Sequence, residues 1–240
     1  EWKTASNNRE FVSINHTRID ANLIEIVVNF SLNNIDSSNK LTYLINSKGV
    51  LKVKNEFTYR GSLKDAQMPR FGMNFTMPKN YKNIVWYGRG PHENYIDRKS
   101  SAFVGLYENL VEDLDFEYSR PQENGYRTDV RWFRALNENN IGFEIKGEPL
   151  ISFSAHYNTI EDFDDGLRPN NPGEKVGTRK RIIKKQRKPI DVPKRDFISL
   201  NIDLKQMGVG GDNSWGARTL PKYTINPGNY TYSFIISPVN

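Results

Sequence analysis

Apolar and polar residues alternate along much of this chain, which is the pattern of antiparallel strands with one buried face. The alternation is clear over residues 21–32 and again over residues 41–59, where Lys48-Gly49 marks a hairpin turn. Further strands are predicted for residues 68–77, 84–87, 128–136, 141–146, 150–157, 197–203, 223–225 and 230–236. The last two are predicted to form a closing hairpin around Pro227-Gly228. With about a dozen strands in all, the pattern predicts a sandwich or barrel-like pair of sheets.

Helix is predicted at one place only, where Thr159 is a candidate N-cap and Asp162 lies in the first turn that follows. Residues 2–8 are expected to be frayed, and residues 61–67 to form a linker. Residues 166–195 hold several prolines and are expected to be the least ordered part of the chain. The fold class predicted is therefore all-β with little helix.

Composition narrows the range of functions. The 240 residues suit one large all-β domain or two small ones, and an aromatic content of 12% allows a sizeable core. The absence of cysteine excludes disulfides, thiolate nucleophiles and cysteine-ligated metals, and leaves the compartment open between cytoplasm and periplasm. No apolar run reaches the ~18–20 residues of a membrane span. Because Glu1 is not an initiator, we expect the chain to be a segment of a longer protein.

The net charge of +6 comes from one place, residues 179–188, which carry seven basic side chains and no acidic one. The rest of the chain is close to neutral, so a general nucleic-acid-binding surface is not indicated. Two interpretations of the basic run stay open, a solvated loop and a contact for a phosphate group or a partner.

The densest motif is GVGGDNSW, residues 208–215. Its glycines Gly208, Gly210 and Gly211 indicate positive φ angles or a close backbone approach. Asp212, Asn213 and Ser214 supply short polar side chains, and Trp215 supplies a flat apolar face with one N–H donor. Such a set suits a sugar, whose C–H face stacks on an aromatic ring while its hydroxyls form hydrogen bonds. A loop held by a buried tryptophan is the alternative.

Another dense motif, GRGPHENYIDR at residues 88–98, follows the strand predicted at residues 84–87. It begins with a strand-ending Gly-x-Gly-Pro and then crowds polar and ionisable side chains together. One interpretation is a loop tied by an Asp97–Arg98 network, and the other is part of a ligand site. A metal site is poorly supported, because adjacent residues such as His92 and Glu93 face opposite ways in a strand. The residues assigned to this structural motif are Gly90, His92, Glu93, Asn94, Asp97 and Arg98.

A further motif, RPQENGYR at residues 120–127, contains the tight-turn signal Asn124-Gly125. Glu123, Asn124 and Arg127 are candidates to project from it into a cleft. Glycosidases need two carboxylates at a defined separation, which spacing along a sequence does not establish. No nucleophile elbow, zinc-binding helix or phosphate loop is present. An acid/base pair of the mutarotase type, such as His156 with Glu123, is one further possibility.

In chain order, the first motif is GRGPHENYIDR (residues 88–98), the second is RPQENGYR (residues 120–127), and the third is IDLKQMGVGGDNSWG (residues 202–216), which includes the glycine-rich stretch 208–215. Together the three motifs resemble the C-terminal small domain of family 2 bacterial β-galactosidases. The resemblance is strong over residues 68–240 and weak over residues 1–67. An Asp-Asn-Asp motif expected upstream in this family is absent, so we expect a domain cropped at its N-terminus. Residues 166–195 also depart from the family in length and composition.

The resemblance implies an all-β supersandwich of two antiparallel sheets, similar to galactose mutarotase. It implies a domain that is not itself catalytic and packs on a TIM-barrel domain of the same polypeptide, which carries the acid/base and nucleophile glutamates. Trp215 matches the tryptophan that stacks on the sugar, and residues 122–127 match a segment near the same pocket. The predicted substrate-binding residues are Trp215, Glu123, Asn124, Arg127, Asp212 and Asn213, with Asp212 and Asn213 expected mainly to hold their loop.

The same resemblance implies that any Mg²⁺ or monovalent cation belongs to the full-length enzyme, with no cofactor in this segment. A galactoside is the implied substrate, and a homo-oligomer of the full-length enzyme is the implied assembly. The segment alone is expected to be inactive. Two alternatives are a free-standing carbohydrate-binding module and a protein similar to aldose mutarotases.

Overall fold

Eleven strands make up most of the computed structural model, which describes residues 2–62, 67–164, 188–211, 213 and 217–240. The strands are β1 (Glu10–Arg18), β2 (Leu23–Leu32), β3 (Ser37–Asn46), β4 (Leu51–Tyr59), β5 (Arg70–Pro78), β6 (Asn83–Gly90), β7 (Phe103–Leu110), β8 (Arg127–Leu136), β9 (Gly142–His156), β10 (Phe197–Gln206) and β11 (Tyr230–Val239). Two four-residue α-helices, α1 (Trp2–Ala5) and α2 (Val111–Leu114), accompany them. Short 3₁₀ helices cover Asn33–Ile35, Ile160–Phe163, Pro189–Asp191 and Pro221–Tyr223.

The strands pair antiparallel in the order β1-β2-β3-β4-β11-β9-β8-β6-β7, and β10 joins β9 to β5. The long strand β9 connects the two parts, because residues 142–148 pair with β11 and residues 152–156 pair with β10. Pro149 lies between these two stretches, where its missing N–H removes no ladder bond. The all-β class with little helix is therefore confirmed, with hydrogen bonding continuous from one part to the other.

The pair β5–β10 lies across β4 and β11 and closes the core. The ring of Phe71 on β5 is 5.7 Å from that of Phe57 on β4 and 5.5 Å from that of Tyr230 on β11. The Tyr232 hydroxyl donates a hydrogen bond of 2.9 Å to the carbonyl of Ile202 on β10. These contacts between strands that are not ladder neighbours are the face-to-face packing of a sandwich.

The second half of β9 and most of β10 are buried on both faces, whereas alternation usually marks a strand with only one buried face. Ile198, Leu200 and Ile202 face the apolar core, but the polar side chains between them are also buried. This buried polar face consists of Ser152, Ser154 and His156 on β9 and of Ser199, Asn201 and Asp203 on β10. Hydrogen bonds join its members, such as the one of 2.9 Å from Asn201 Nδ2 to Ser154 Oγ. In these strands, the alternation of apolar and polar residues therefore separates an apolar buried face from a polar buried face.

Three predictions about the elements are corrected. Residues 223–225 do not form a hairpin with residues 230–236, because the chain makes a 3₁₀ turn at Pro221–Tyr223 and β11 pairs with β4 and β9. The strands predicted at residues 141–146 and 150–157 are one strand, β9. The start of the chain is ordered as α1, with the Trp2 ring 5.8 Å from that of Tyr59. Most of the predicted linker at residues 61–67 lies outside the described residues.

Thr159 does precede a short helix, of the 3₁₀ type, and its backbone N–H donates to Asp162 Oδ2 at 2.8 Å. Arg195 forms an ion pair with the same carboxylate, with Nε at 2.9 Å from Oδ2. The hydrogen bond from Arg195 lowers the pKa of Asp162 below its usual value of 3.8. A depressed carboxyl pKa stabilises the fold above the unfolded-state pKa, and the contribution disappears as the pH falls through the folded-state pKa.

Asp162→Asn is therefore expected to lower the free energy of unfolding by about 1–2 kcal/mol at pH 7. The difference from wild type should shrink as the pH falls below the unfolded-state pKa of about 3.9, and disappear once Asp162 is protonated in the folded state as well. Urea denaturation at several pH values measures it. Asp196→Asn is the matched control, since that carboxylate is 84% exposed and should change stability little. A deficit for Asp162→Asn that is the same at pH 2 and pH 7 would contradict the assignment.

Candidate functional site

The three sequence motifs meet at one end of the sheet, although residues 88–98 and residues 208–215 are far apart in the sequence. The first follows β6, the second leads into β8, and β6 and β8 are antiparallel neighbours. Asn94 joins the two loops: its backbone N–H donates to the Tyr126 carbonyl at 2.8 Å, and its Oδ1 accepts from Thr128 N at 3.0 Å. Asn94 is fully buried, so this polar side chain is a support for both loops.

Glu93 is the second link between these loops. Its Oε2 accepts a hydrogen bond of 2.8 Å from Gly125 N, at the tip of the second motif. Its Oε1 accepts from Arg98 Nη2 at 2.5 Å and from the Tyr118 hydroxyl. The Asn124-Gly125 turn itself is confirmed, with Gly125 at φ +73°. Both oxygens of Glu93 are thus occupied within the chain, which is the pattern of a structural carboxylate.

Asp97 fixes the third motif to the first. Its Oδ2 accepts hydrogen bonds from Gly210 N at 2.8 Å and from Thr219 Oγ1 at 3.1 Å. A Cβ on Gly208 would lie 2.5 Å from the Asp97 carboxylate, so only glycine permits this approach. The two contacts lie on either side of residues 211–218. One carboxylate oxygen therefore holds both ends of the segment that contains Trp215.

The predicted Asp97–Arg98 network is wrong in its pairing. Asp97 bonds to the third motif, whereas Arg98 pairs with Glu93. Adjacent residues of an irregular loop point in different directions, so each side chain reaches a different neighbour.

Sequence reasoning missed Arg70, the first residue of β5. Its Nη2 lies 3.0 Å from Glu123 Oε1 in the second motif, and its Nε lies 3.2 Å from Asp203 Oδ2 on β10. Gln206 Oε1 accepts a further hydrogen bond from Nε at 3.0 Å. Burial raises the pKa of Asp203 to about 7, although Arg70 acts in the opposite direction. The sequence does contain one signal for this pair, because each residue carries a charged side chain inside a predicted strand, Arg70 in residues 68–77 and Asp203 in residues 197–203.

Two tyrosines connect Arg70 to the first motif. The rings of Tyr95 and Tyr126 are stacked with centroids 5.6 Å apart. Arg70 lies over the Tyr126 ring at 5.5 Å, and Arg98 lies over the Tyr95 ring at 5.0 Å. Two cations on two stacked rings form a layered arrangement, each layer adding a cation–π or ring contact. We call these four residues the Arg–Tyr stack.

The predicted substrate-binding residues lie in different environments. Glu123 is partly exposed, with 31% of its side chain accessible. Asn124 is buried and holds the turn, since its Oδ1 accepts from Phe116 N at 3.1 Å. Asn213 Oδ1 accepts from Ala217 N at 3.4 Å, within its own loop. Asp212 and Trp215 lie outside the described residues, and so does most of the basic run 179–188.

Arg127 is buried rather than presented at a surface, with 2% of the residue exposed. Its guanidinium lies over the Trp86 ring at 5.4 Å. Within the described part of the chain, its Nε and Nη1 have no hydrogen-bond partner. Burial lowers the pKa of Arg127 to about 10. Its role in substrate binding stays a prediction.

The remaining motif residues shape the loops. Gly90 packs where a Cβ would lie 2.9 Å from the Trp86 ring, and Gly210 and Gly211 have φ angles of +67° and +96°. His92 is exposed, with its Nε2 at 3.0 Å from Ser101 Oγ. Over the ranges that the structure covers, no three His, Asp or Glu side chains are grouped to hold a metal ion.

An acid/base pair of His156 with Glu123 is not formed. The His156 ring bonds through Nδ1 to Asp115, and Glu123 bonds to Arg70. The two side chains have separate partners, because His156 lies on the buried polar face and Glu123 lies in the partly exposed loop before β8. In the described ranges, no helix is both long and apolar enough to cross a membrane.

The beta galactosidase small chain family matches residues 1–236. The beta-galactosidase of Priestia megaterium is 33% identical over 99% of this chain, and that of Streptococcus thermophilus is 27% identical over 100% of it. The chain spans about a fifth of the length of these relatives, 21% in both cases.

Similar solved structures include the galactosidase domain of an alpha-galactosidase-sucrose kinase, with a TM-score of 0.46 and 9% identity over 96% of this chain and 28% of that one. A galactose mutarotase related enzyme from Lactobacillus acidophilus has a TM-score of 0.41 and 8% identity, over 95% of this chain and 72% of that one. The all-β fold rests on the strand pairing described above. Because the family match covers almost the whole length of this chain, the chain belongs to the beta galactosidase small chain family.

Proposed function

We propose that this chain is the small domain of a family 2 β-galactosidase, and that it adds sugar-contacting residues to the rim of an active site without carrying the catalytic carboxylates. The observation that supports this most is the fixed relation of the three motifs. Asp97 holds both ends of the segment containing Trp215, and Glu93 holds the loop containing Glu123. Two loops that are tied to the same support suit the binding of one ligand between them.

The chemistry of the two sides is complementary. Trp215 offers a flat apolar face for the C–H side of a galactose ring, and Glu123 offers a carboxylate for its hydroxyls. Hydrolysis itself requires an acid/base and a nucleophilic carboxylate at a defined separation, which we assign to a TIM-barrel domain of the same polypeptide. Any Mg²⁺ or monovalent cation belongs, in this proposal, to other parts of the full-length enzyme. A homo-oligomer of the full-length enzyme is also part of this proposal.

Trp215→Ala in the full-length enzyme tests the proposal. Loss of a stacked sugar ring should cost about 1 kcal/mol of binding, which corresponds to a rise of about fivefold in KM for an aryl β-galactoside. Steady-state kinetics measure it, with Trp132→Ala on β8 as a tryptophan control outside the three motifs. An unchanged KM and kcat for Trp215→Ala would remove this residue from the site.

The 240-residue chain alone distinguishes the rival functions. We expect that it does not hydrolyse an aryl galactoside and that calorimetry detects no binding of galactose at millimolar concentrations. We also expect polarimetry to show that it does not accelerate the interconversion of sugar anomers. Binding by the isolated chain would favour a free-standing carbohydrate-binding module, and faster anomer exchange would favour a mutarotase. Hydrolysis by the pure chain would contradict its assignment as a domain without catalytic carboxylates.

A further inference from the structure

We infer that Arg70 is a positioning residue that orients Glu123 toward the galactoside. This inference rests on the proposed function and adds a residue that none of the three motifs contains. Arg70 is the first residue of β5, 53 positions before Glu123 in the sequence.

Arg70 is itself held in one orientation. Gln206 Oε1 on β10 accepts a hydrogen bond of 3.0 Å from its Nε, and Asp203 Oδ2 forms an ion pair with the same nitrogen at 3.2 Å. The guanidinium also lies over the Tyr126 ring at 5.5 Å. Asp203 cannot turn away, because its side chain is 1% exposed and packs into the space that Gly72 leaves free. A planar donor group fixed on two sides directs its remaining N–H groups along set lines.

One of those N–H groups, on Nη2, points to Glu123 Oε1 at 3.0 Å. Glu123 Oε2 has no hydrogen bond within the described ranges, and 31% of the side chain is exposed. The pair therefore presents one carboxylate oxygen outward while the other is anchored. An acceptor held in place before binding loses less conformational freedom when it meets a sugar hydroxyl.

The other carboxylate beside the Arg–Tyr stack shows the contrast. Glu93 pairs with Arg98 as Glu123 pairs with Arg70, but Glu93 is 10% exposed and both of its oxygens are used within the chain. The two carboxylates that pair with the arginines of the stack thus have different roles. Glu93 ties the loops together, and Glu123 keeps an acceptor available for a ligand.

The test uses the full-length enzyme with Arg70→Met, Arg70→Lys, Glu123→Ala and the double variant Arg70→Met/Glu123→Ala. We expect Glu123→Ala and Arg70→Met each to raise KM for an aryl galactoside about fivefold, the equivalent of one hydrogen bond, with kcat nearly unchanged. Arg70→Lys keeps the charge but loses the planar fork, so a smaller rise is expected. The double variant should match Glu123→Ala alone, because Arg70 acts through that side chain.

Two controls separate this inference from simpler explanations. Arg195→Met breaks a similar ion pair outside the motifs, with Asp162, and should leave KM unchanged. Because the Glu123 side chain is partly exposed, the Glu123→Ala variant should fold. An unchanged KM for this variant therefore overturns the inference even if Arg70→Met is unstable. Additive effects in the double variant also overturn it. If Trp215→Ala raises KM while these variants do not, the proposed function stands and only the role of Arg70 fails.

Discussion

Gly72→Ala is expected to destabilise the chain by roughly 3–5 kcal/mol, the range seen when a buried ion pair is broken. Gly72 lies opposite Asp203 in the β5–β10 ladder. A Cβ at this position would overlap Asp203 Oδ1 and lie 2.7 Å from the Asp203 Cα. Because the backbone of β10 is held by β9 on its other side, the clash must displace the carboxylate from Arg70. Thermal and urea unfolding of the variant measure the loss.

The matched control is Gly228→Ala, where a new Cβ would meet no atom within 4 Å. Its effect should stay within about 0.5 kcal/mol, as for most surface substitutions. Equal stability of the two variants would mean that β10 can shift away from β5. The Arg70–Asp203 pair would then be less constrained than the contacts indicate.

Asp97→Ala is expected to lower the free energy of unfolding by about 2–4 kcal/mol, since it leaves two partly buried donors without their acceptor. Those donors are Gly210 N and Thr219 Oγ1, both bonded to Asp97 Oδ2. In the full-length enzyme, the same change should also raise KM, because the segment between them contains Trp215. Chemical denaturation of the chain and steady-state kinetics of the enzyme measure the two effects.

Two variants test whether the loss comes from this contact. Thr219→Val removes one donor together with its need for an acceptor, so it should cost less than Asp97→Ala. Asp20→Ala removes an exposed carboxylate that accepts from Asn22 N in a turn, and should cost little. A loss for Asp97→Ala no larger than that for Asp20→Ala would show that Asp97 does not hold the third motif.

Local signals in the sequence predicted much of the strand content. Alternating residues over 41–59 and Lys48-Gly49 gave the β3–β4 hairpin, and Gly49 has the positive φ of +76° that such a turn requires. Edge strand β1 was missed because its side chains are mostly exposed, so no buried face imposes a pattern. Residues 223–225 looked like a strand, but Pro221 starts a 3₁₀ turn there. Propensity alone does not resolve such short segments.

The site was predictable as a set of loops and not as a set of contacts. The motifs marked Glu93 and Asp97 as important, yet their partners Gly125 and Gly210 follow from the strand order, which local pattern does not give. Arg70 and Asp203 are 133 residues apart, and Arg70 lies outside all three motifs. A charged residue in a buried strand indicates that a partner exists, but only the register of β5 with β10 identifies it.

The position of β9 has a consequence for how the chain comes apart. Its first half is bonded to β8 and β11, and its second half is bonded to β10, which in turn holds β5. Neither part of the fold can open without exposing backbone amides of this one strand, so both parts should melt together in a single transition. Amide protons of residues 151–155, buried on both faces, should exchange with solvent only through that global opening.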